Sequence, residues 1–313
     1  MKIGLGTAAI GRPQYINIKL QQSQIAFDRE KFIIKGKNLL TEAYQKGVRH
    51  FDTAPGYGIA EQILLEWIKE NNPSGITIST KWGYTYVANF DPAAKVHEVK
   101  EHTLKNLNKQ WAYSSQFLPF LNIYQIHSAT IESGVLENKE VLNRLFEIKA
   151  KHNIELGLST SGANQNEIIQ KALAISLNGK ELFDSFQVTY NLFDQSLFKI
   201  KNELINKKII VKEALANGRV FPNDKFPNYQ AAYQGLSRLA IKYQVGIDAI
   251  ALRFCIDSIN PYMVLSGASE EAHLIANLEV SNIELSTTDL NQIRELAVSP
   301  AAYWKERKQL EWQ

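Results

Sequence analysis

The sequence predicts a single α/β domain, an (α/β)8 TIM barrel spanning residues 1–313. Three observations carry that expectation. Short, β-rich apolar runs recur eight times along the chain, and the segments between them place apolar residues at helical spacing. Several of the runs also close on a charged residue or a histidine, as happens where parallel barrel strands end at a ligand-binding face. A chain of 313 residues exceeds the usual domain size but suits one barrel. No shift in composition marks a linker.

In order, the expected strands are 3–8, 48–52, 76–80, 121–127, 154–159, 184–189, 208–213 and 261–265. The helices between them are read from apolar residues three and four apart, which share one face. Leu39, Leu40, Ala43 and Tyr44 mark one such face; Ala60, Ile63, Leu64, Trp67 and Ile68 mark the next. Val96, Val99, Leu104, Leu107 and Trp111 read as a single helix. Leu142, Leu145, Phe146 and Ile148 follow, then Ile168, Ile169, Ala172 and Leu173. Cys255 falls on a stripe with Ile247, Ile250, Ala251 and Phe254, where it is expected to pack as a small hydrophobe.

Three segments break the rhythm. Residues 11–31, with Gly11 and Pro13, decorate the first connection. A long loop from Ala216 to Tyr229 follows the seventh strand, and an aromatic, basic tail runs from Ser299 to Gln313. Long loops at the carboxyl face of a barrel shape its pocket. The tail reads equally well as a helix packed on the barrel wall.

Composition narrows the function. Hydrophobic content of 45% and charged content of 21% are ordinary for a globular protein. A net charge of +3, with basic residues scattered among acids, argues against nucleic acid as a partner. One cysteine allows no internal disulfide and points to a reducing, cytoplasmic setting. No apolar run reaches the roughly 18 residues of a membrane span, so no membrane association is expected. The opening Met1-Lys2-Ile3-Gly4-Leu5-Gly6 is unlike a signal peptide. Oligomeric state has no signature in the sequence.

Gly4-Leu5-Gly6-Thr7-Ala8-Ala9 imitates the dinucleotide fingerprint GxGxxA. That motif works only if a helix opens within it and presents its amino terminus to a pyrophosphate. Here Gly11 and Pro13 intervene and helical period starts near residue 36, which argues against a Rossmann fold. His50, His97, His102, His152 and His273 form no metal-binding pattern; His97 and His102 lie five apart on an expected helix, the wrong spacing for paired ligands.

The chemistry concentrates in Val48-Arg49-His50-Phe51-Asp52-Thr53-Ala54-Pro55-Gly56-Tyr57-Gly58-Ile59-Ala60-Glu61. A strand ends on an acid, a Pro-Gly turn carries a tyrosine, and a helix follows. An ionised carboxylate at a buried strand end needs a partner. The runs 76–81 and 121–127 end in Lys81 and His127. A tyrosine titrates near 10, too high for easy proton exchange at neutral pH, and a nearby ammonium lowers that value. Lys81, held by Asp52, would supply the ammonium; His127 would orient a substrate oxygen, and the set suits proton donation to a carbonyl. Singly, each residue has an ordinary structural role, but all four at matching strand ends favour one site.

These residues resemble the aldo-keto reductase family. Its signature of Gly-Val, a strand, Asp-Thr-Ala, a tyrosine five residues after the Asp, then Gly-x-x-Glu appears as Gly47-Val48 through Glu61. The family lysine corresponds to Lys81 in Thr80-Lys81-Trp82-Gly83 and its histidine to His127. Further matches are Gly157-Leu158-Ser159-Thr160-Ser161, Gln187-Val188-Thr189-Tyr190-Asn191, and Val264-Leu265-Ser266-Gly267-Ala268 with Asn277.

The resemblance implies reduction of an aldehyde or ketone with a nicotinamide cofactor, NADP first and NAD as competitor. It implies Tyr57 as general acid, Lys81 lowering its pKa, Asp52 anchoring Lys81, and His127 steering the carbonyl. Ser159 and Gln187 match positions that hold the nicotinamide carboxamide, while Gly267, Ala268 and Asn277 lie in the segment gripping the adenosine end, where a helix starting near Ser269 offers its positive pole. Two departures stand out. Lys212, in Lys212-Glu213-Ala214-Leu215, replaces the tyrosine that often stacks on nicotinamide, and His273 stands where an arginine often meets the 2′-phosphate. Trp82, Tyr84, Phe221 and Trp304 are candidates for an apolar substrate wall. Two other functions remain open at this level: a cofactor-retaining regulatory protein, or a redox-neutral isomerase or lyase. Nothing in the loops spells a substrate.

Overall fold

Eight parallel strands close into the barrel. The computed structural model describes residues 1–14, 27–91 and 93–311, so part of the 11–31 segment and the last residues of the tail lie outside the described residues. The barrel strands are β1 (Ile3–Gly6), β2 (His50–Asp52), β3 (Thr77–Trp82), β4 (Leu121–Ala129), β5 (Glu155–Thr160), β6 (Ser185–Thr189), β7 (Lys208–Lys212) and β8 (Met263–Ser266). Each pairs with its neighbours in sequence, and β8 returns to β1. All eight expected strands are present; β3 extends through Lys81 and Trp82, and β4 runs on past His127.

The wall has two faces because side chains alternate across a strand. Outward residues such as Ile78, Tyr124, Ile126, Leu156, Leu158, Phe186 and Val188 join the helices in one continuous apolar cluster. Burying each such side chain contributes about 1.5–3 kcal/mol. The facing helices include α1 (Ala8–Gly11), α2 (Arg29–Gln45), α3 (Ala60–Asn71), α4 (Leu104–Ser114), α5 (Lys139–His152), α6 (Gln165–Leu173), α7 (Gln230–Tyr243), α8 (Ile247–Ile259), α9 (Glu271–Leu278), α10 (Thr287–Arg294) and α11 (Pro300–Arg307). Asp28, Thr103, Asn138, Ser286 and Ser299 cap their helices by accepting from backbone N–H groups, which satisfies donors the helix leaves open.

The inner face holds a small apolar cluster of Ile123, Ile210, Met263 and Leu265. Beside it the lining turns polar, with His50, Asp52, Ser79, Lys81, Gln125 and Gln187 all buried. Gly4 faces this interior: a Cβ there would come within 3.2 Å of the His50 ring and 3.1 Å of Met263. Gly4 thus serves a crowded barrel interior.

Four expectations need correction. Val96 and Val99 do not extend α4. Residues Glu98–Lys100 pair antiparallel with Tyr84–Tyr86 in a hairpin beyond β3, and both valines are exposed, so their helical spacing was coincidental. His97 and His102 accordingly lie outside any helix. Helical structure also begins earlier than residue 36, since α1 follows Thr7 directly and α2 starts at Arg29. α1 lasts only four residues, too short to seat a pyrophosphate. The tail forms α11 against the barrel, with Tyr303 and Trp304 buried. Trp82 is fully buried and leaves the list of substrate-wall candidates. Among the described residues no helix is long and apolar enough to cross a membrane.

Candidate active site

Asp52 ends β2 and points into the barrel, where four donors converge on it. Its Oδ2 accepts from Lys81 Nζ at 2.5 Å; its Oδ1 accepts from Ser79 Oγ at 2.6 Å, Gln187 Nε2 at 2.8 Å and Gln125 Nε2 at 3.4 Å. Such a network makes an ionised carboxylate tolerable out of water. Lys81 Nζ also donates to the Thr53 carbonyl at 3.1 Å and stands 4.8 Å from the centre of the Tyr57 ring.

The turn carrying Tyr57 is shaped by close backbone approach. Gly58 has φ +65°, and a Cβ there would fall 2.2 Å from the Gly11 carbonyl oxygen; a Cβ on Gly11 would fall 2.0 Å from that of Tyr57. Only glycine fits either place. Ile59 N–H donates to the Gly11 carbonyl at 2.9 Å, locking the segment after β1 onto the turn. That contact brings in Arg12, which periodicity alone does not reveal. Its buried guanidinium donates to the Gly56 carbonyl at 2.9 Å and to Glu98 of the hairpin at 2.8 Å, with Cζ 5.7 Å from the Tyr57 ring centre.

His127 stands perpendicular to Tyr57, ring centres 5.5 Å apart, and 4.7 Å from Tyr84. A slip in the β4–β5 register follows it, with Ser128 at φ +49°. Ser128 N–H donates to Ser159 Oγ at 2.8 Å, and the His127 carbonyl meets His102 Nε2 at 2.9 Å. The Nδ1 of His127 is buried without a hydrogen-bond partner, an arrangement that costs free energy unless a ligand satisfies it.

Burial sets the protonation states. It holds the His127 imidazole well below the usual range, reinforced by Lys81, Arg12 and Lys212, so the ring is neutral. Burial also pushes the Tyr57 phenol well above its ordinary value, aided by Asp52 and opposed by Arg12. The phenol therefore keeps its proton, with the Lys81 ammonium and its Asp52 partner beside the ring. A proton-bearing phenol, an ammonium behind it and a neutral imidazole with an unsatisfied nitrogen can together receive an oxygen atom and protonate it.

Of the remaining expected positions, Ser159 and Gln187 lie buried at this end, Gln187 committed to Asp52. Lys212 ends β7 and donates to Thr189 Oγ1 at 3.0 Å, with its pKa lowered by burial. The neighbouring Glu213 would be raised by burial alone, but Lys212 and Arg307 hold it at about 2. Trp304, 6.0 Å from Lys212 Nζ at its ring centre, donates to Asp194. Past β8, Gly267 is exposed with open space around it, and Ala268 is buried. Asn277 turns inward and donates to Ser266 Oγ at 2.8 Å, fixing this turn. His273 is exposed on α9, near Glu270, which pairs with Lys35 at 2.7 Å. The unpaired His127 nitrogen past β4 and the open Gly267 turn past β8 lie at the carboxyl ends of strands four apart in the barrel order.

Ser79 and Gln125 escape motif reading, although alternation finds them: Ser79 and Lys81, like Gln125 and His127, share the inward face. Among the described residues no three His, Cys, Asp or Glu side chains cluster to hold a metal ion.

A glycerol dehydrogenase from Gluconobacter oxydans superposes with a TM-score of 0.71 at 22% identity, covering 94% of this chain and 90% of that one. An aldo-keto reductase from Bacillus halodurans, in its holo form, gives 0.69 at 18% identity, covering 95% and 92%. Both show a shared fold. The NADH-specific methylglyoxal reductase of Escherichia coli (strain K12) is 24% identical, over 95% of this chain and 94% of the relative. The family model for the aldo/keto reductases matches residues 2–298. The chain therefore belongs to the aldo/keto reductase family and is an NAD(P)-dependent oxidoreductase that reduces carbonyl groups.

Proposed function

We propose that the protein reduces a small aldehyde or ketone with Tyr57 as proton donor and with NADH preferred to NADPH. The observation that carries the assignment of roles is the convergence of Tyr57, Lys81 and His127 around the buried, unpartnered His127 nitrogen. Bound reduced nicotinamide supplies the hydride. His127, neutral, holds the carbonyl oxygen by a hydrogen bond, and Tyr57 breaks its O–H bond to give that oxygen a proton. Lys81, anchored by Asp52, faces the phenolate that remains, so charge developing in the transition state meets a fixed cation. Ser159, Gln187 and Lys212 would border the nicotinamide; Gly267, Ala268 and Asn277 would shape the adenosine end.

The cofactor reading departs from the NADP that the resemblance first suggested. Glu270 and Glu271 open α9 and His273 is exposed there, while Lys35 is already paired with Glu270. A 2′-phosphate would meet two carboxylates, whereas a ribose hydroxyl can donate to one, as it does to the acid of NAD-binding folds. The NADH-specific relative supports the same choice. Its name also makes methylglyoxal the first substrate to test. The buried, free Cys255 supports a cytoplasmic setting.

Purified protein should oxidise NADH in the presence of methylglyoxal or related small carbonyls. Tyr57→Phe should fold and bind dinucleotide normally while turnover falls at least about a hundredfold. Undiminished turnover in that variant overturns the assignment. Retained cofactor binding with no turnover on any carbonyl would point to a regulatory protein.

A further inference from the structure

We propose that Arg12 is a positioning residue for the acid–base tyrosine, acting as a second cation fixed against the Tyr57 turn. The inference rests on the reading of Tyr57 as proton donor. Arg12 is 3% exposed and sits where three elements meet: the segment after β1, the turn after β2 and the hairpin beyond β3. Its Nη1 donates to the carbonyl of Gly56, the residue next to Tyr57, and to Glu98 on the hairpin. Its Cζ lies 5.7 Å from the phenol ring centre, close to the 4.8 Å of Lys81 Nζ, so the ring faces two cations. The close contacts of Gly11 and Gly58 hold this arrangement, since neither tolerates a side chain.

The two cations differ in how they are neutralised. Lys81 is paired with Asp52 on the inner side of the barrel, and that carboxylate itself disfavours the phenolate. Arg12 favours the phenolate and is balanced by Glu98, which disfavours it, as does Glu213 more weakly. Other titratable groups at this junction include His127, which is neutral, Tyr84 of the hairpin, 4.7 Å from the His127 ring, and His97, whose pKa is lowered by burial and by Arg12. Arg12 and Glu98 therefore act in opposite directions on the same proton. As Tyr57 gives up that proton, Arg12 stabilises the negative oxygen electrostatically while keeping the turn in register.

Three variants test this: Arg12→Ala, Arg12→Lys and Glu98→Gln, each checked for an unchanged melting temperature. Steady-state reduction is measured from pH 6 to 11 with NADH and methylglyoxal, with and without added guanidinium at millimolar concentration. Arg12→Ala should lower kcat about tenfold, with little change in KM, and move the alkaline limb upward. Guanidinium should restore a several-fold part of the loss. Arg12→Lys keeps a charge but replaces the rigid guanidinium whose Nη1 serves both acceptors, and should fall between wild type and Arg12→Ala. Glu98→Gln should move the alkaline limb downward, opposite in sign.

A purely structural role would lower kcat in all three variants with the limb fixed and no rescue, and that result overturns the proposal. So does wild-type kcat in Arg12→Ala. Tyr57→Phe separates the two claims: full activity there defeats the tyrosine assignment itself, whereas an inactive Tyr57→Phe beside an unaffected Arg12→Ala defeats only the role of Arg12.

Discussion

At the ends of β2, β3 and β4, Asp52, Lys81 and His127 are buried, and Asp52 alone gathers four donors. Past β8, by contrast, Gly267, Glu270, Glu271 and His273 stand in solvent, and the Lys35–Glu270 pair formed there is exposed. The first region is built for chemistry that needs charges fixed before the reaction begins. The second is built for recognition, where exposed charges interact weakly through water. Removing one partner of the buried Asp52–Lys81 pair should therefore disturb fold and turnover together. In the second region a substitution should shift preference between ligands and little else.

The largest break in that contrast comes from Lys81→Met. It leaves the Asp52 carboxylate buried without its cation and should cost about 3–5 kcal/mol of stability, read by urea denaturation, besides abolishing turnover. A stable variant would mean that Ser79, Gln125 and Gln187 suffice to hold the acid.

Acid should distinguish the regions next. His50 and His102 are held at about 4 by burial, and His127 is well below its normal range. Between pH 6.5 and 4 the unfolded chain binds these protons and the folded chain does not, so stability is full above 6.5 and is lost as pH falls. Burial raises Glu61 to about 7, which acts oppositely: its contribution is present at low pH and lost as pH rises through that value. Three imidazoles outweigh one carboxyl. Stability should drop by about 1.4 kcal/mol per pH unit for each uncompensated proton, and denaturation midpoints at pH 7 and pH 5 measure it. Equal midpoints would show the histidines charged in the fold.

At the recognition end, Glu271→Arg should raise the preference for NADPH over NADH about tenfold, with melting temperature unchanged. Fluorescence titration with both dinucleotides reads the shift; an unmoved ratio would place the 2′-position elsewhere. Smallest of all, His273→Ala should alter either affinity less than about twofold, because an exposed side chain interacts only weakly through water.

The outer wall of the barrel was legible because helical and strand periods are properties of neighbouring residues. The eight strands and most helix faces follow from spacing alone. The hairpin was not, since Val96 and Val99 sit at helical spacing while making no core contact that would justify it. Asp52, Tyr57, Lys81 and His127 were legible because each falls at or just past a strand end in a stretch of distinctive composition. Arg12 was not: its importance lies in contacts with Gly56 and Glu98, 44 and 86 residues away.

By itself, the sequence determined the order of strands and helices, the barrel they close into, and the four side chains that meet at its mouth. Tertiary structure alone decided their states. It drew Gln187 onto Asp52, kept the proton on Tyr57 by burial, left His127 neutral with one nitrogen unmatched, and set Arg12 beside the phenol. The reason is that periodicity is local along the chain, whereas protonation depends on desolvation and on charges brought together from distant segments.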